Sequence, residues 1–179
     1  MTAGFGRAYR YVGPPELRAG VGGPGGRPVR TAGEFATWTA DRTAEELAEP
    51  FTFVVDLDGA LRLAPRRSEH VACAGGELVM SAGEIGFRRS RDGWEVETVS
   101  NHSTDYCPDT ASWPAVTAAV TAAVTCIELP HPGGFTHAMV FRRCPRCDRC
   151  NLVREEHYAC AFCDTNLPRH RNVDGTAPL

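Results

Sequence analysis

Two hydrophobic rhythms run along the chain, and they change over near residue 110. In FTFVVDLDGALRLAP, from Phe51, apolar and β-branched residues run into Asp58-Gly59 and out again. That is the signature of a hairpin whose turn needs a residue tolerant of positive φ. HVACAGGELVMSAGEIGF reads as further strands interrupted at Gly75-Gly76, and Asp92-Gly93 turns the chain into the strand WEVETVS. The pattern predicts an antiparallel sheet of four or five strands within residues 51–100. From Ser112 the period becomes helical: Trp113, Val116, Val120, Val124 and Ile127 fall on one stripe. Pro114 sits in the first turn, where no amide donor is lost, and Pro130 ends the helix. THAMVFRR is expected to form one more strand leading into Cys144.

Upstream, Thr31-x-x-Glu34 and Thr43-x-x-Glu46 fit the capping box, in which Thr oxygen and Glu carboxylate satisfy orphan amides of a first turn. Phe35, Trp38 and Leu47 supply the buried faces, and Pro50 closes the segment. Residues 13–28, rich in Gly and Pro, read as a mobile loop or extended arm. No internal repeat is evident. The expected class is α+β, helices packed on a mainly antiparallel sheet. The expected divisions are an arm (1–30), an α+β domain (31–140), a cysteine-rich module (141–168) and a tail (169–179).

Composition narrows the chemistry. The chain has 179 residues, enough for one ordinary domain and a small module. No apolar run approaches the roughly 20 residues that cross a bilayer, and MTAGFGRAYR lacks the apolar core of a signal peptide. The cytoplasm is therefore the expected compartment, with no membrane partner. All 19 basic residues are Arg, which removes Schiff-base and Walker-type lysine chemistry. GC-rich codon usage accounts for this bias together with the surplus of Ala, Gly and Pro. Seven Arg between 140 and 172 face four acidic residues, a local excess of only +3, which is a weak case for nucleic acid.

The segment FRRCPRCDRCNLVREEHYACAFCDTNLPRHRN holds the strongest signal. Cys144-Pro-Arg-Cys147 and Cys160-Ala-Phe-Cys163 are two C-x-x-C units separated by twelve residues. Two thiolates three apart can sit on one tight turn and grip an edge of a tetrahedral Zn²⁺. The spacer is long enough for a hairpin, with arms at Asn151–Val153 and His157–Ala159, that brings the second turn to the opposite edge. The segment resembles a zinc ribbon over about residues 141–167. Cys150 offers an alternative C-x-x-C with Cys147, but Pro145 suits the first turn of a knuckle, so Cys144 and Cys147 are the expected ligands. Four thiolates leave no position for water, so the zinc is expected to be structural.

A second cluster is chemically ambiguous. His70 and Cys73 form H-x-x-C at the start of an expected strand, while His102 and Cys107 lie in NHSTDYCPD before the helix. If the loops meet, Cys107 could be a nucleophile with His102 or His70 as base and Asp105 or Asn101 orienting it. Alternatively, His70, Cys73, His102 and Cys107 could hold a second metal, closed if all four are ligands, or, with three, leaving a place for catalytic water and Glu69 or Glu84 as general base. The plainest reading makes the cysteines small buried hydrophobes and the polar residues partners of loop backbone.

On these grounds the chain is expected to be a zinc-containing binding or adaptor protein that presents its metal module to a protein partner. A small Cys–His transferase or hydrolase, or a second-metal hydrolase, is the alternative. Nucleic-acid binding through the arginines of the module is the third.

Overall fold

The computed structural model describes residues 7–124, 133–173 and 176–177. In chain order its elements are β1 (Ala8–Tyr9), α1 (Pro15–Ala19), β2 (Arg27–Val29), α2 (Ala32–Ala40), α3 (Ala44–Leu47), β3 (Phe51–Val55), β4 (Leu61–Ala64) and α4 (His70–Cys73). There follow β5 (Ser81–Ser90), β6 (Gly93–Ser100), α5 (Trp113–Val124), β7 (Val140–Arg143), β8 (Cys150–Val153) and β9 (Thr176–Ala177). The class is α+β. Its main sheet has five antiparallel strands in the order β2-β4-β3-β5-β6.

The Asp58-Gly59 hairpin forms where the sequence places it, between β3 and β4. Gly59 takes a φ of 78°, and Asp56 Oδ1 accepts from the amides of Asp58 and Ala60. Strand β3 is buried at every residue because both faces are covered. Phe51, Phe53 and Val55 pack with Phe35 and Trp38 of α2 and with Val116 and Val120 of α5. Val54 faces the other way, towards Tyr9, Val71, Val79 and Tyr106. Strands β5 and β6 turn at Asp92-Gly93, with one bulge between Gly86 and Phe87.

Both Thr caps form. Thr31 accepts from the Glu34 amide, and Thr43 with Glu46 makes the full reciprocal box. Val116 and Val120 of the predicted stripe are buried, whereas Ile127, Pro130 and the side chain of Val124 lie outside the described residues.

Two segments differ from the sequence expectation. HVAC is a single helical turn, α4, and not a strand. The Asp105 carboxylate accepts from the Val71 amide at its start. At its end Gly75 donates to Ala72 O and Gly76 to Val71 O, the paired bonds of a helix-terminating motif that both glycines permit with φ of 64° and 82°. The Gly pair therefore stops a helix, and the strand begins later, at Ser81. The second difference is the arm: residues 27–29 add an edge strand to the sheet. Its neighbour Gly26 lies so close to Cys73 that a Cβ there would meet the sulfur at 2.6 Å. No helix among the described residues is long and apolar enough to cross a membrane.

Candidate metal centre

Strand β7 delivers the chain into the first C-x-x-C turn. The turn closes on itself: Cys144 N–H donates to Arg149 O at 2.9 Å and Asp148 N–H to Cys144 O at 3.0 Å. Asp148 takes a φ of 58°, which the short polar side chain of Asp tolerates better than a branched or bulky one would. The second turn repeats the construction. Cys160 N–H donates to Thr165 O at 2.9 Å, Asp164 N–H to Cys160 O at 3.0 Å, and Asp164 has a φ of 56°. In each turn the first sulfur receives a backbone amide two residues on, from Arg146 and Phe162, both at 3.4 Å. Such bonds favour thiolate over thiol. Each C-x-x-C is followed by Asp, so CPRCDR and CAFCDT form a short repeat that was visible in the sequence and passed over there.

The two turns meet. The sulfurs of Cys144 and Cys163 are 3.6 Å apart, those of Cys147 and Cys160 are 3.5 Å apart, and all four lie within 4.8 Å of one another. A tetrahedron of sulfurs each about 2.3 Å from a central zinc has edges of about 3.8 Å. The cluster could thus hold one metal ion. Hydrogen bonds from the Thr165 side chain and backbone hold the Cys163 thiol down at about 6. Cys144 and Cys160 are buried, and Cys150 lies outside the cluster.

Asn151 joins the two halves, a role the sequence reading missed. Its buried amide donates to Arg149 O at 2.9 Å and approaches Cys160 Sγ at 3.6 Å, while Oδ1 accepts from Ala161 N–H at 3.0 Å. The expected hairpin between 151–153 and 157–159 is reduced to one bridge, Arg154 with His157, around a turn in which Glu155 and Glu156 both take positive φ. Strand β8 pairs instead with β7, Arg143 opposite Cys150, because the first turn folds the chain straight back.

The seven arginines between 140 and 172 divide into two sets. Arg142 is buried, its guanidinium donating to the carbonyls of Phe141, Pro168 and Arg169. Arg143 binds Asp148, and Arg171 binds Cys107 O and lies against Asp109. Arg146, Arg149, Arg154 and Arg169 remain exposed. Arg149 lies over the ring of Phe162, which is 58% exposed, and Arg169 over that of Tyr158.

The residues of the second cluster are placed differently. His70 Nε2 lies 3.0 Å from Gly83 O, and since a carbonyl only accepts, that nitrogen carries the proton. Cys73 contacts Arg62 O within the apolar cluster around Tyr9 and Val71, where burial pushes its thiol up to about 12. Partly buried His102 donates its backbone amide to Ser100 Oγ. Cys107 belongs to another apolar group, with Phe141 and Val173, and its sulfur faces that of Cys150 at 3.5 Å. Asn101 is fully buried: Oδ1 accepts from Met139 N–H, and Nδ2 donates to Pro108 O and Met139 O. Asp105 caps α4. Glu69 and Glu84 are exposed. Among the described residues only the four cysteines of the C-terminal turns group as metal ligands, so His70, Cys73, His102 and Cys107 do not converge on an ion.

Compared with known protein families, curated proteins and solved structures, the chain finds no match.

Proposed function

We propose that this chain is a zinc-containing binding or adaptor protein of the cytoplasm, its C-terminal module a zinc ribbon that presents a surface to a protein partner. The observation that carries the reading is the convergence of four sulfurs within 4.8 Å on two turns of the same build. Four thiolates favour zinc or iron in tetrahedral geometry, and a zinc they surround keeps no open position for substrate water. The centre then supplies structure, and function falls to what it displays.

What it displays is a half-exposed aromatic with a guanidinium stacked on it, Phe162 under Arg149, at the tip of the second turn. Aromatic and Arg side chains are the residues most often dominant at protein interfaces. The same surface supports nucleic acid less well, because three of the seven cations are spent on internal carbonyls and carboxylates.

Elemental analysis of the purified chain tests the centre: one zinc per chain is expected, and iron or no metal would overturn it. A Phe162→Ala, Arg149→Ala variant is expected to keep its zinc and lose co-purifying protein from its native cells. Unchanged co-purification would remove the adaptor surface. Binding to DNA or RNA that weakens steeply with salt would replace the protein partner with nucleic acid.

A further inference from the structure

Cys107, which joins no histidine in the structure, and Cys150, the cysteine left outside the metal cluster, lie against each other. Cys107 is in the loop between β6 and α5, and Cys150 opens β8 as the chain leaves the first metal turn. They are 43 residues apart in sequence, yet their sulfurs are separated by 3.5 Å. We propose that Cys107 and Cys150 form a peroxide-oxidisable dithiol, which closes to a disulfide that fastens the metal module to the sheet domain.

The pair is held in place by its backbone. Cys107 has a φ of 43°, a left-handed conformation that an L-residue with a Cβ adopts only when its surroundings impose it. Two contacts impose it here: Cys107 N–H donates to Ser103 O at 2.8 Å, and the Arg171 guanidinium donates to Cys107 O at 2.6 Å. Opposite, Cys150 is fixed by the β7–β8 pairing across from Arg143. Closing from this separation to a bonded length of about 2.05 Å needs a shift of about 1.5 Å, within reach of side-chain rotation.

The two sulfurs have different parts. Cys107 is fully buried, whereas Cys150 is only partly buried, so Cys150 is assigned the first encounter with a small oxidant. The thiol hydrogen bond from Cys107, aided by Arg143 and Arg171, holds Cys150 down at about 7, while the same contact and burial push Cys107 up. One proton shared by the pair therefore leaves the negative charge on Cys150, the less buried of the two.

With a hydroperoxide as oxidant, the Cys150 thiolate attacks one peroxide oxygen. The O–O bond breaks, and the departing hydroxide, or alkoxide, takes up a proton. Cys150 is now a sulfenic acid, and the neighbouring charge that kept Cys107 protonated is gone. Cys107 then gives up its proton and attacks the Cys150 sulfur; the S–O bond breaks and water leaves. Two thiols have lost two electrons, the peroxide has gained them, and one S–S bond has formed. None of the four clustered sulfurs takes part.

The test treats the full chain as purified with one equivalent of hydrogen peroxide, blocks remaining thiols, cleaves after arginine and maps peptides without reduction. The expected product joins residues 92–142 to residues 150–154, lighter by two hydrogens, before metal is released to a chromogenic chelator. Because 92–142 also contains Cys126, fragmentation of the linked species must place the bond at Cys107. Cys126→Ser is expected to keep the link and Cys107→Ser to lose it while retaining its metal. A link that maps to Cys126, that survives in Cys107→Ser, or that forms only after metal release overturns the proposal. So does wild-type protein in which both thiols stay open to alkylation. The wild-type map decides the matter even if Cys107→Ser fails to fold.

Discussion

Two groups of four metal-capable residues can be picked out of this chain, one with the spacing of a zinc ribbon and one without. One, Cys144, Cys147, Cys160 and Cys163, is drawn together within 4.8 Å. The other, His70, Cys73, His102 and Cys107, is dispersed over an α4 face, a loop and two separate apolar clusters. The difference lies in who satisfies whom. In the C-terminal turns backbone amides point at sulfur, so the sulfurs are free to share an ion. Around residues 70–107 the polar groups point at backbone: Asn101 at Met139 and Pro108, Asp105 at Val71, His70 at Gly83. A group already spent on an amide or carbonyl is not available to a metal or a substrate.

The largest expected effect breaks the first group. Cys160→Ser removes one of four ligands and the sulfur that both Asn151 and the Phe162 amide address. Loss of an outer-shell partner typically weakens metal binding about 10–100-fold, and loss of a ligand should exceed that. Metal affinity is expected to fall by more than about 100-fold, with loss of amide protection over residues 141–168 in hydrogen exchange. The five-stranded sheet should keep its protection. A variant that binds metal as tightly as the parent would show the cluster to be only a packing arrangement.

Next comes the second region's main tie. Asn101→Ala leaves the Met139 amide and the carbonyls of Pro108 and Met139 without their buried partner. An orphaned buried group costs about 1–3 kcal/mol, and with some relaxation the variant should lose about 3 kcal/mol in denaturant unfolding. A loss within about 0.5 kcal/mol would mean that the loop re-solvates freely. Asn151→Ala is expected to act more gently. It removes a bond towards Cys160 and one to each turn, so metal affinity should drop about 10-fold with little change in sheet stability.

The contrast also marks what sequence can carry. Features set within a few residues were legible: the Asp58-Gly59 hairpin, the Thr43–Glu46 capping box, the two C-x-x-C turns. Each is a local geometry with a fixed residue requirement, so letters suffice. HVAC was misread because four apolar-leaning residues fit one helical turn as well as a short strand. What decided it was Asp105, thirty-four positions away, capping the turn. The separation of His70 from Cys107, the β7–β8 pairing and the approach of Cys150 to Cys107 all depend on topology, for which spacing holds no code. The repeated Asp after each C-x-x-C was local, however, and could have predicted both left-handed turns.

The smallest effect sharpens the reading of His70 as structure. Burial pushes this imidazole below its ordinary value of 6.5, against the Gly83 hydrogen bond and the charges of Asp105 and Glu84, with His102 acting in the same direction as burial. The folded chain thus keeps His70 neutral at a pH where the unfolded chain protonates it. In that window the unfolded state binds more protons, so stability rises with pH. His70 therefore contributes fully above 6.5, and its contribution is lost as pH falls from 6.5 through the folded value. His70→Gln, which can still donate to Gly83 O, should flatten the decline of unfolding free energy below 6.5 and change little above it. Parallel curves for parent and variant across that range would show that His70 is as protonatable folded as unfolded, and would reopen the region to a histidine in use.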